Sequence, residues 1–391
     1  MRRDRIRVMH LVACNFFGGP EKQILKQAQH LDSDIFEPIL ASFTDGERET
    51  EFLRRARGER IKTLPIRTKN AYDTTSVKRI RQALLENDID LFCTHTYRPN
   101  ILGLLATRGM TARQIAFSRG WTKDNLKVQF YHWLDRKLLR RVEHIVAVSQ
   151  AKKKELLKLG IAAGRITVIP NAVEIPSPGQ SDEQDLDLRK EYNLPTDCRL
   201  VAACGRLSPE KGHTVFLEMA EIVRKRCDNV RFMIVGDGPL RERLELLGID
   251  LLETGELVLT GYLPGFSRYF PQVDILVNAS FSEGMPNVVL EALSYARPVV
   301  ATEVGGVGEL IEHGRTGFLS RAGDAEELAD RVGGLLEKPE VMKRMGEAGR
   351  EFVARNHSFP AQAEKLKVLY LKVAGVQAED LKVQETETIK V

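Results

Sequence analysis

The sequence predicts two α/β domains in one chain, each a parallel sheet wrapped by crossover helices. Three observations carry this. Short Val- and Ile-rich runs alternate with helix-length stretches from end to end, the pattern of strands joined by crossover helices. The unit strand, Gly-bearing loop, helix stands at the head of each half, and a polar, acidic segment bearing Pro and Gly, Glu174 to Asp187, interrupts the pattern between them. A length of 391 residues accommodates two domains of about 190 each.

In the first half the predicted strands are Ile6–Cys14, Glu37–Ser42, Asp90–Thr94, Gln114–Ser118, His144–Ser149 and Thr167–Ile169. Helices fall between them at Glu21–His30, Ser76–Asn87, Lys127–Leu139 and Gln150–Leu159. The pattern restarts at Arg199 with strand Leu200–Cys204, a Gly loop, helix Thr214–Arg226 and strand Val230–Val235. Strands Leu257–Thr260, Ile275–Asn278, Val299–Ala301 and Gly317–Ser320 follow, then helices Ala325–Leu336, Pro339–Asn356 and Pro360–Val373. The expected organisation is a first domain over 1–173, a linker and domain entry over 174–198, a second domain over 199–358, a last helix over 359–376 and a polar tail over 377–391.

Composition excludes several classes. With 43% hydrophobic and 29% charged residues and a mean hydropathy of -0.24, the chain is neither disordered, collagenous nor a disulfide scaffold. Five cysteines, with no C-x-x-C pair and no zinc spacing, predict reduced thiols and a cytoplasmic setting. The N-terminal stretch Ile6–Phe17 is interrupted by Arg7, His10 and Asn15 and runs into Gly18-Gly19, so it reads as a strand and not a signal peptide. No run reaches the ~18 apolar residues of a membrane span, so any membrane contact would be peripheral. Charge is lopsided: residues 1–180 carry 32 Lys and Arg against 19 Asp and Glu, within a chain whose net charge is only +4. A basic first half favours anionic partners, while a solvated face without a partner explains the same counts.

Four constellations bear on chemistry. Gly18-Gly19 follows the first strand at a helix start, where glycines let backbone N–H groups approach a phosphate or simply form a tight turn. Gly205 to Gly212 occupies the equivalent loop of the second half and carries Arg206 and Lys211, a cation pair suited to a diphosphate. Gly236-Asp237-Gly238-Pro239 begins like a dinucleotide fingerprint, but Arg241 stands where its third glycine belongs. Ser280 to Ala292 places Glu283 on a loop marked by Gly284 and Pro286 and Glu291 in the helix that follows. A carboxylate in so apolar a helix calls for hydrogen-bond donors such as sugar or ribose hydroxyls, although a solvent-edge position accounts for it too.

Together these residues resemble the retaining glycosyltransferases of family 4. The resemblance spans nearly the whole chain: the Gly18-Gly19 turn, His95, Val148–Gln150, Val168–Glu174, Gly205-Arg206 with Lys211, Gly236–Pro239, and two glutamates with seven residues between them, Glu283 and Glu291. It implies the GT-B fold, two Rossmann-like domains facing across a cleft, with the C-terminal helix crossing back to the first domain. It further implies that Arg206 and Lys211 grip the donor diphosphate and that Glu291 binds the ribose. Glu283, with the backbone of Gly284, Met285, Pro286 and Asn287, would contact the donor sugar. Gly18 and Gly19 would approach the phosphates, His95 would lie near the donor sugar, and the backbone of Gly261 to Pro264, Leu263 included, would meet the nucleobase.

The implied reaction moves a sugar from a nucleoside diphosphate, UDP by family habit, to a hydroxyl acceptor with retention, in cell-envelope polysaccharide or lipid-linked glycan assembly. The resemblance implies no cofactor and no metal, and the chain agrees with it: Asp32-Ser33-Asp34 and Asp88-Ile89-Asp90 spell D-x-D but precede strands in the first half, far from the diphosphate loops. Expected partners are a nucleotide-sugar donor and a saccharide or lipid-linked acceptor, without nucleic acid. An anionic membrane surface is a further candidate, through Ser118–Thr122 and the basic, aromatic helix containing Val128, Phe130, Tyr131 and Trp133. The expected localisation is cytoplasmic, with peripheral attachment to the inner membrane face. The chain departs from the family pattern at Arg297, at Gly308 and at Asn278-Ala279-Ser280. A non-catalytic sugar-nucleotide binder and an NAD-type oxidoreductase stand as alternatives, the latter opposed by Arg241.

Overall fold

A computed structural model describes residues 5–13, 16–46, 48–69, 73, 75–119, 126–177 and 187–376, with the side chains of 126–130 excepted. The chain divides into two compact units, one of residues up to Asn171 together with those from Phe359 onward, the other Ala172–Ser358.

The first unit alternates β1 (Ile6–Val12), α1 (Gly19–His30), β2 (Phe36–Asp45), α2 (Glu51–Gly58), β3 (Lys62–Thr68), α3 (Thr75–Glu86), β4 (Leu91–His95), α4 (Tyr97–Ala106), β5 (Arg113–Ser118), α5 (Leu126–Leu139), β6 (His144–Ala147), α6 (Gln150–Lys158) and β7 (Ile166–Val168). Its seven strands are all parallel in the order β3-β2-β1-β4-β5-β6-β7. The order reverses between β1 and β4, and in such sheets ligands bind beyond the strand C-termini at that reversal.

The second unit runs α7 (Leu188–Glu191), β8 (Arg199–Cys204), α8 (His213–Val223), β9 (Val230–Val235), α9 (Arg241–Leu247), α10 (Ile249–Glu253), β10 (Leu257–Gly261), β11 (Ile275–Asn278), α11 (Asn287–Ser294), β12 (Val299–Thr302), β13 (Gly317–Ser320), α12 (Ala325–Leu336) and α13 (Pro339–Asn356). Its six parallel strands lie in the order β10-β9-β8-β11-β12-β13, reversing between β8 and β11.

The last helix, α14 (Phe359–Ala374), belongs to the first unit. Leu366, Leu369, Tyr370 and Val373 bury themselves on one face of the first sheet against Val8, Leu91, Cys93, Ile115 and Phe117. The opposite face is closed by apolar residues of α3 and α4, among them Ile80 and Leu84. In the second unit α8 and α12 cover one face of the sheet, with Phe216, Met219, Leu328 and Val332 fully buried. Both sheets are thus covered by helices, which is why their strands read as near-continuous apolar runs.

Three elements differ from the sequence expectation. β3 carries Pro65, which argues against a strand, yet it lies at the sheet edge and pairs with β2 alone, so one side needs no N–H donor. α1 begins at Gly19, two residues earlier than expected, because Pro20 fits the first helical turn and Glu21 Oε2 accepts a hydrogen bond from the Gly18 N–H at 3.1 Å. His95 is the last residue of β4 and not a loop residue after it, and it is 1% exposed. Residues 178–186 of the linker, the expected polar tail, Trp121 and Thr122 lie outside the described residues, as do the side chains of Val128 and Phe130.

Candidate active site

In the second unit the loops leaving β8, β9, β10, β11 and β12 are knitted by their backbones. Gly236 donates to the Gly261 carbonyl at 2.9 Å, and a side chain at 236 would put its Cβ 1.9 Å from the Gly205 carbonyl oxygen. The Gly236–Pro239 stretch, which the sequence offered as a broken dinucleotide fingerprint, is therefore a floor under the loop that carries Arg206. Phe281 N–H donates to the Glu210 carbonyl at 2.8 Å, tying the β8 loop to the β11 loop.

That tie brings Lys211 and Glu283 together across 72 residues of sequence, with Nζ 2.7 Å from Oε1. The Lys211 stem lies along Gly205, its side chain a quarter exposed, whereas the Glu283 side chain is 7% exposed. Ser280 Oγ donates to the same carboxylate oxygen at 2.8 Å and Asn278 Nδ2 reaches it at 3.5 Å. Thr302 on β12 anchors this loop by donating to the Ser280 carbonyl at 2.5 Å and the Asn278 carbonyl at 3.3 Å. Asn278 and Ser280, noted in the sequence only as departures from the family pattern, thus hold Glu283 in place. Gly305 closes the arrangement from behind: its φ is +53°, and a Cβ there would fall 1.8 Å from the Glu283 carbonyl oxygen.

Glu291 is the fifth residue of α11, half-buried. Its charge and that of Lys211 both reach the Cys204 thiol at the end of β8. Burial pushes that thiol up to about 12, Glu291 adding to the rise and Lys211 opposing it. Met285 and Pro286 are buried, whereas Gly284 and Asn287 are half-buried at the α11 N-terminus. Arg206 stands exposed on the β8 loop, and Gly261 and Leu263 are half-buried at and beyond the end of β10. Every site residue expected in the second half therefore lies at or beyond a strand C-terminus of one sheet.

In the first unit Gly18 and Gly19 are half-buried where β1 gives way to α1, and His95 ends the neighbouring strand β4. His95 Nε2 lies 3.0 Å from His10 Nδ1, and the His95 ring stacks on Phe117 with centroids 4.6 Å apart. Burial drives His10 down to about 3 and His95 well below the usual imidazole range, with the positive charge of Arg119 acting in the same direction. His95 is therefore a neutral ring at pH 7. Glu21, whose carboxyl is raised by burial, also feels the Arg119 charge. His10 and Glu21 were not singled out as site residues, and Arg119 was noted only within the Ser118–Thr122 stretch as a membrane contact, though a histidine inside the apolar strand Val8–Val12 was a readable signal.

The two D-x-D stretches have other work. Asp32 pairs with Lys367 at 2.8 Å, Asp88 with Arg7 at 3.3 Å, and Asp90 Oδ2 accepts from the Arg7 backbone N–H at 2.8 Å. Among the described residues no group of three or more His, Cys, Asp or Glu is arranged to hold a metal, and no helix is long and apolar enough to cross a membrane.

Two Rossmann-like units, with a cation–carboxylate pair and a second glutamate gathered at the strand ends of the second, define a transferase of GT-B architecture. The sequence family Glycosyltransferase Family 4 matches residues 17–175 and the family Glycosyl transferases group 1 matches residues 198–338. The chain belongs to these GT-B glycosyltransferases. It is 29% identical over 248 residues to the alpha-D-kanosaminyltransferase of Streptomyces kanamyceticus, covering 62% of this chain and 63% of that protein. It is 24% identical over 384 residues to the Escherichia coli UDP-Gal:alpha-D-GlcNAc-diphosphoundecaprenol alpha-1,3-galactosyltransferase, covering 94% of this chain and 97% of that protein. The crystal structure of Anabaena Alr3699/HepE in complex with UDP-glucose superimposes with a TM-score of 0.79 at 19% identity, covering 94% and 100% of the two chains, a likeness of fold.

Proposed function

We propose that this glycosyltransferase moves a sugar from a uridine diphosphate donor to a hydroxyl of a saccharide or lipid-linked acceptor, with retention of configuration, in cell-envelope polysaccharide or lipid-linked glycan assembly. The observation that carries the reading is the convergence of Lys211, Glu283 and Glu291 at the strand ends of the second unit. Arg206 and Lys211 offset the charge that grows on the departing diphosphate, Arg206 through its fork of donors and Lys211 as a point charge. Glu291 accepts from the ribose hydroxyls, and Glu283 with the Gly284–Asn287 backbone orients the donor sugar. The backbone of Gly261 and Leu263 faces the base, while Gly18 and Gly19 serve the phosphates. His95, neutral, hydrogen-bonds the donor sugar without taking up charge. The departing diphosphate receives the proton of the attacking hydroxyl on the face it leaves, so retention needs no carboxylate nucleophile. In this scheme the two cations do what a divalent metal does in other transferases, and turnover persists in chelator.

The UDP-Gal named for the Escherichia coli relative and the UDP-glucose of the Anabaena structure support the choice of base. The test is a thermal-shift panel of UDP, GDP, ADP and NAD, with Glu291→Ala as control. A ligand at about 100 times its Kd adds roughly 2.7 kcal/mol to the stability of the folded protein. A shift with UDP alone that the variant loses supports the reading, and a shift with NAD alone overturns it. Stabilisation without nucleoside diphosphate release from any donor would make the chain a binding protein only.

The described part of α5 favours a membrane-facing role as well. It exposes Trp133 beside Arg136, Lys137 and Arg140, with Lys137 Nζ 4.0 Å from the Trp133 ring centre, and an exposed aromatic among cations suits an anionic lipid surface.

A further inference from the structure

We propose that Tyr370, acting through His10, fixes the ring tautomer of His95 so that Nδ1 carries the proton and presents a hydrogen-bond donor. Four buried side chains from three elements form one line in the first unit. Cys93 Sγ on β4 lies 3.5 Å from Tyr370 Oη on α14, Tyr370 Oη lies 3.5 Å from His10 Nε2 on β1, and His10 Nδ1 lies 3.0 Å from His95 Nε2. None of the four is more than 1% exposed, and water does not set their protonation. His95 Nδ1 is buried and has no hydrogen-bond partner among the described residues, so the line ends there.

Two polarities satisfy such a line, and chemistry separates them. In one, the Tyr370 hydroxyl donates to His10 Nε2. His10 Nδ1–H then donates to His95 Nε2, and the remaining ring proton of His95 must sit on Nδ1. In the other, His10 Nε2–H donates to the phenol oxygen, the phenol proton goes to the Cys93 sulfur, and His95 Nδ1 is left a bare lone pair. The second places the best donor of the line on its weakest acceptor, since sulfur accepts poorly and imidazole nitrogen accepts well. The first is therefore favoured. Both rings are neutral, because burial and the Arg119 charge oppose an imidazolium at either position, so one proton occupies the His10–His95 bond.

The outcome is a buried N–H on His95 whose hydrogen bond is made only when an oxygen acceptor arrives. Leaving such a donor unpaired is costly, and a ligand oxygen relieves that cost. His95 then orients a substrate oxygen and removes no proton from it, with Tyr370 and His10 as positioning residues behind it. This consequence rests on His95 meeting substrate as proposed above, whereas the tautomer itself does not.

The test is a long-range proton–nitrogen correlation spectrum of the full chain labelled with nitrogen-15 in histidine, at pH 7, where protonated and bare ring nitrogens resonate far apart. The expected wild-type result is a protonated Nδ1 and a bare Nε2 on both His95 and His10. Tyr370→Phe removes the donor to His10, and the expected result is a mixture of His95 tautomers. With the donating tautomer only part of the population, kcat/KM for the sugar nucleotide falls in proportion to that part, about twofold for an even mixture. Cys93→Ser keeps the phenol but offers it a better acceptor, and is expected to shift His95 toward the Nε2–H form. It also carries the test should Tyr370→Phe fail to fold. A bare Nδ1 on wild-type His95, or an unchanged tautomer in the folded variants, overturns the proposal. Spectra as expected in a protein that turns over no sugar nucleotide would leave the relay standing and remove the transferase mechanism.

Discussion

Replacing Gly305 by alanine tests whether Glu283 is held from behind. The added Cβ would lie 1.8 Å from the Glu283 carbonyl oxygen and 2.8 Å from its carbon, both backbone atoms with no flexible end to swing away. Reaching an ordinary contact requires a displacement of well over 1 Å in the segment that carries Glu283. Gly305 also has φ at +53°, where alanine pays about 1–2 kcal/mol. Gly314 is the control: its φ is +78° but nothing lies within 4 Å, so Gly314→Ala incurs only the backbone cost. Overpacking adds about 1–3 kcal/mol, so Gly305→Ala should be less stable than Gly314→Ala by about 2 kcal/mol, several degrees in Tm for a unit of this size. Misplacing a positioning group by about 1 Å costs about 10²-fold in turnover, which nucleoside diphosphate release measures. Equal Tm values for the two variants, with turnover of Gly305→Ala within threefold of wild type, would refute the reasoning.

Other perturbations have equally definite outcomes. Lys211→Ala should lower turnover at least about 10²-fold, because the charge that meets the departing diphosphate is gone; steady-state kinetics would show it, and unchanged turnover removes Lys211 from the mechanism. Leu366→Ala, at a fully buried position of α14, should cost about 2–5 kcal/mol in denaturant unfolding of the first unit. His10 is held near 3 by burial, below the ordinary 6.5, so the unfolded chain binds its proton first as pH falls. Its contribution is whole above pH 6.5 and shrinks by about 1.4 kcal/mol per pH unit down to pH 3, a slope that His10→Asn should lack in unfolding measured against pH. Co-sedimentation with anionic vesicles at low salt should fall when Trp133 and Lys137 are both replaced by alanine; no binding by the wild type would end the membrane reading.

Legibility in the sequence followed the strength of local signals. Helices α12 and α13 were readable to the residue, since Asp324 caps the first with its side chain and Pro339 opens the second. α2 was missed: five of its eight residues are charged or glycine and mask a short face of Phe52, Leu53 and Ala56. β3 was missed through Pro65. The spacing of Glu283 and Glu291 marked the second-unit site, but its supports were illegible. Ser280, Thr302 and Gly305 matter through contacts between strand ends that no local pattern encodes. Likewise Tyr370, 360 residues from His10, read as one more apolar position of an amphipathic helix until the fold brought the two together.

The place of α14 also governs the order in which the molecule can be built. The chain leaves the first unit at Asn171 and re-enters it at Phe359, and the two crossings adjoin, Gln362 donating to the Pro170 carbonyl. The second unit is in effect an insertion in the first. A ribosome therefore completes the inserted unit, with its own core, before it makes the helix that covers Leu91, Cys93 and Ile115. During that interval the nascent first unit displays an apolar sheet face, a substrate for chaperones and a hazard for aggregation. The host unit is thus begun first and finished last, and translation speed through residues 172–358 sets how long its face stays uncovered.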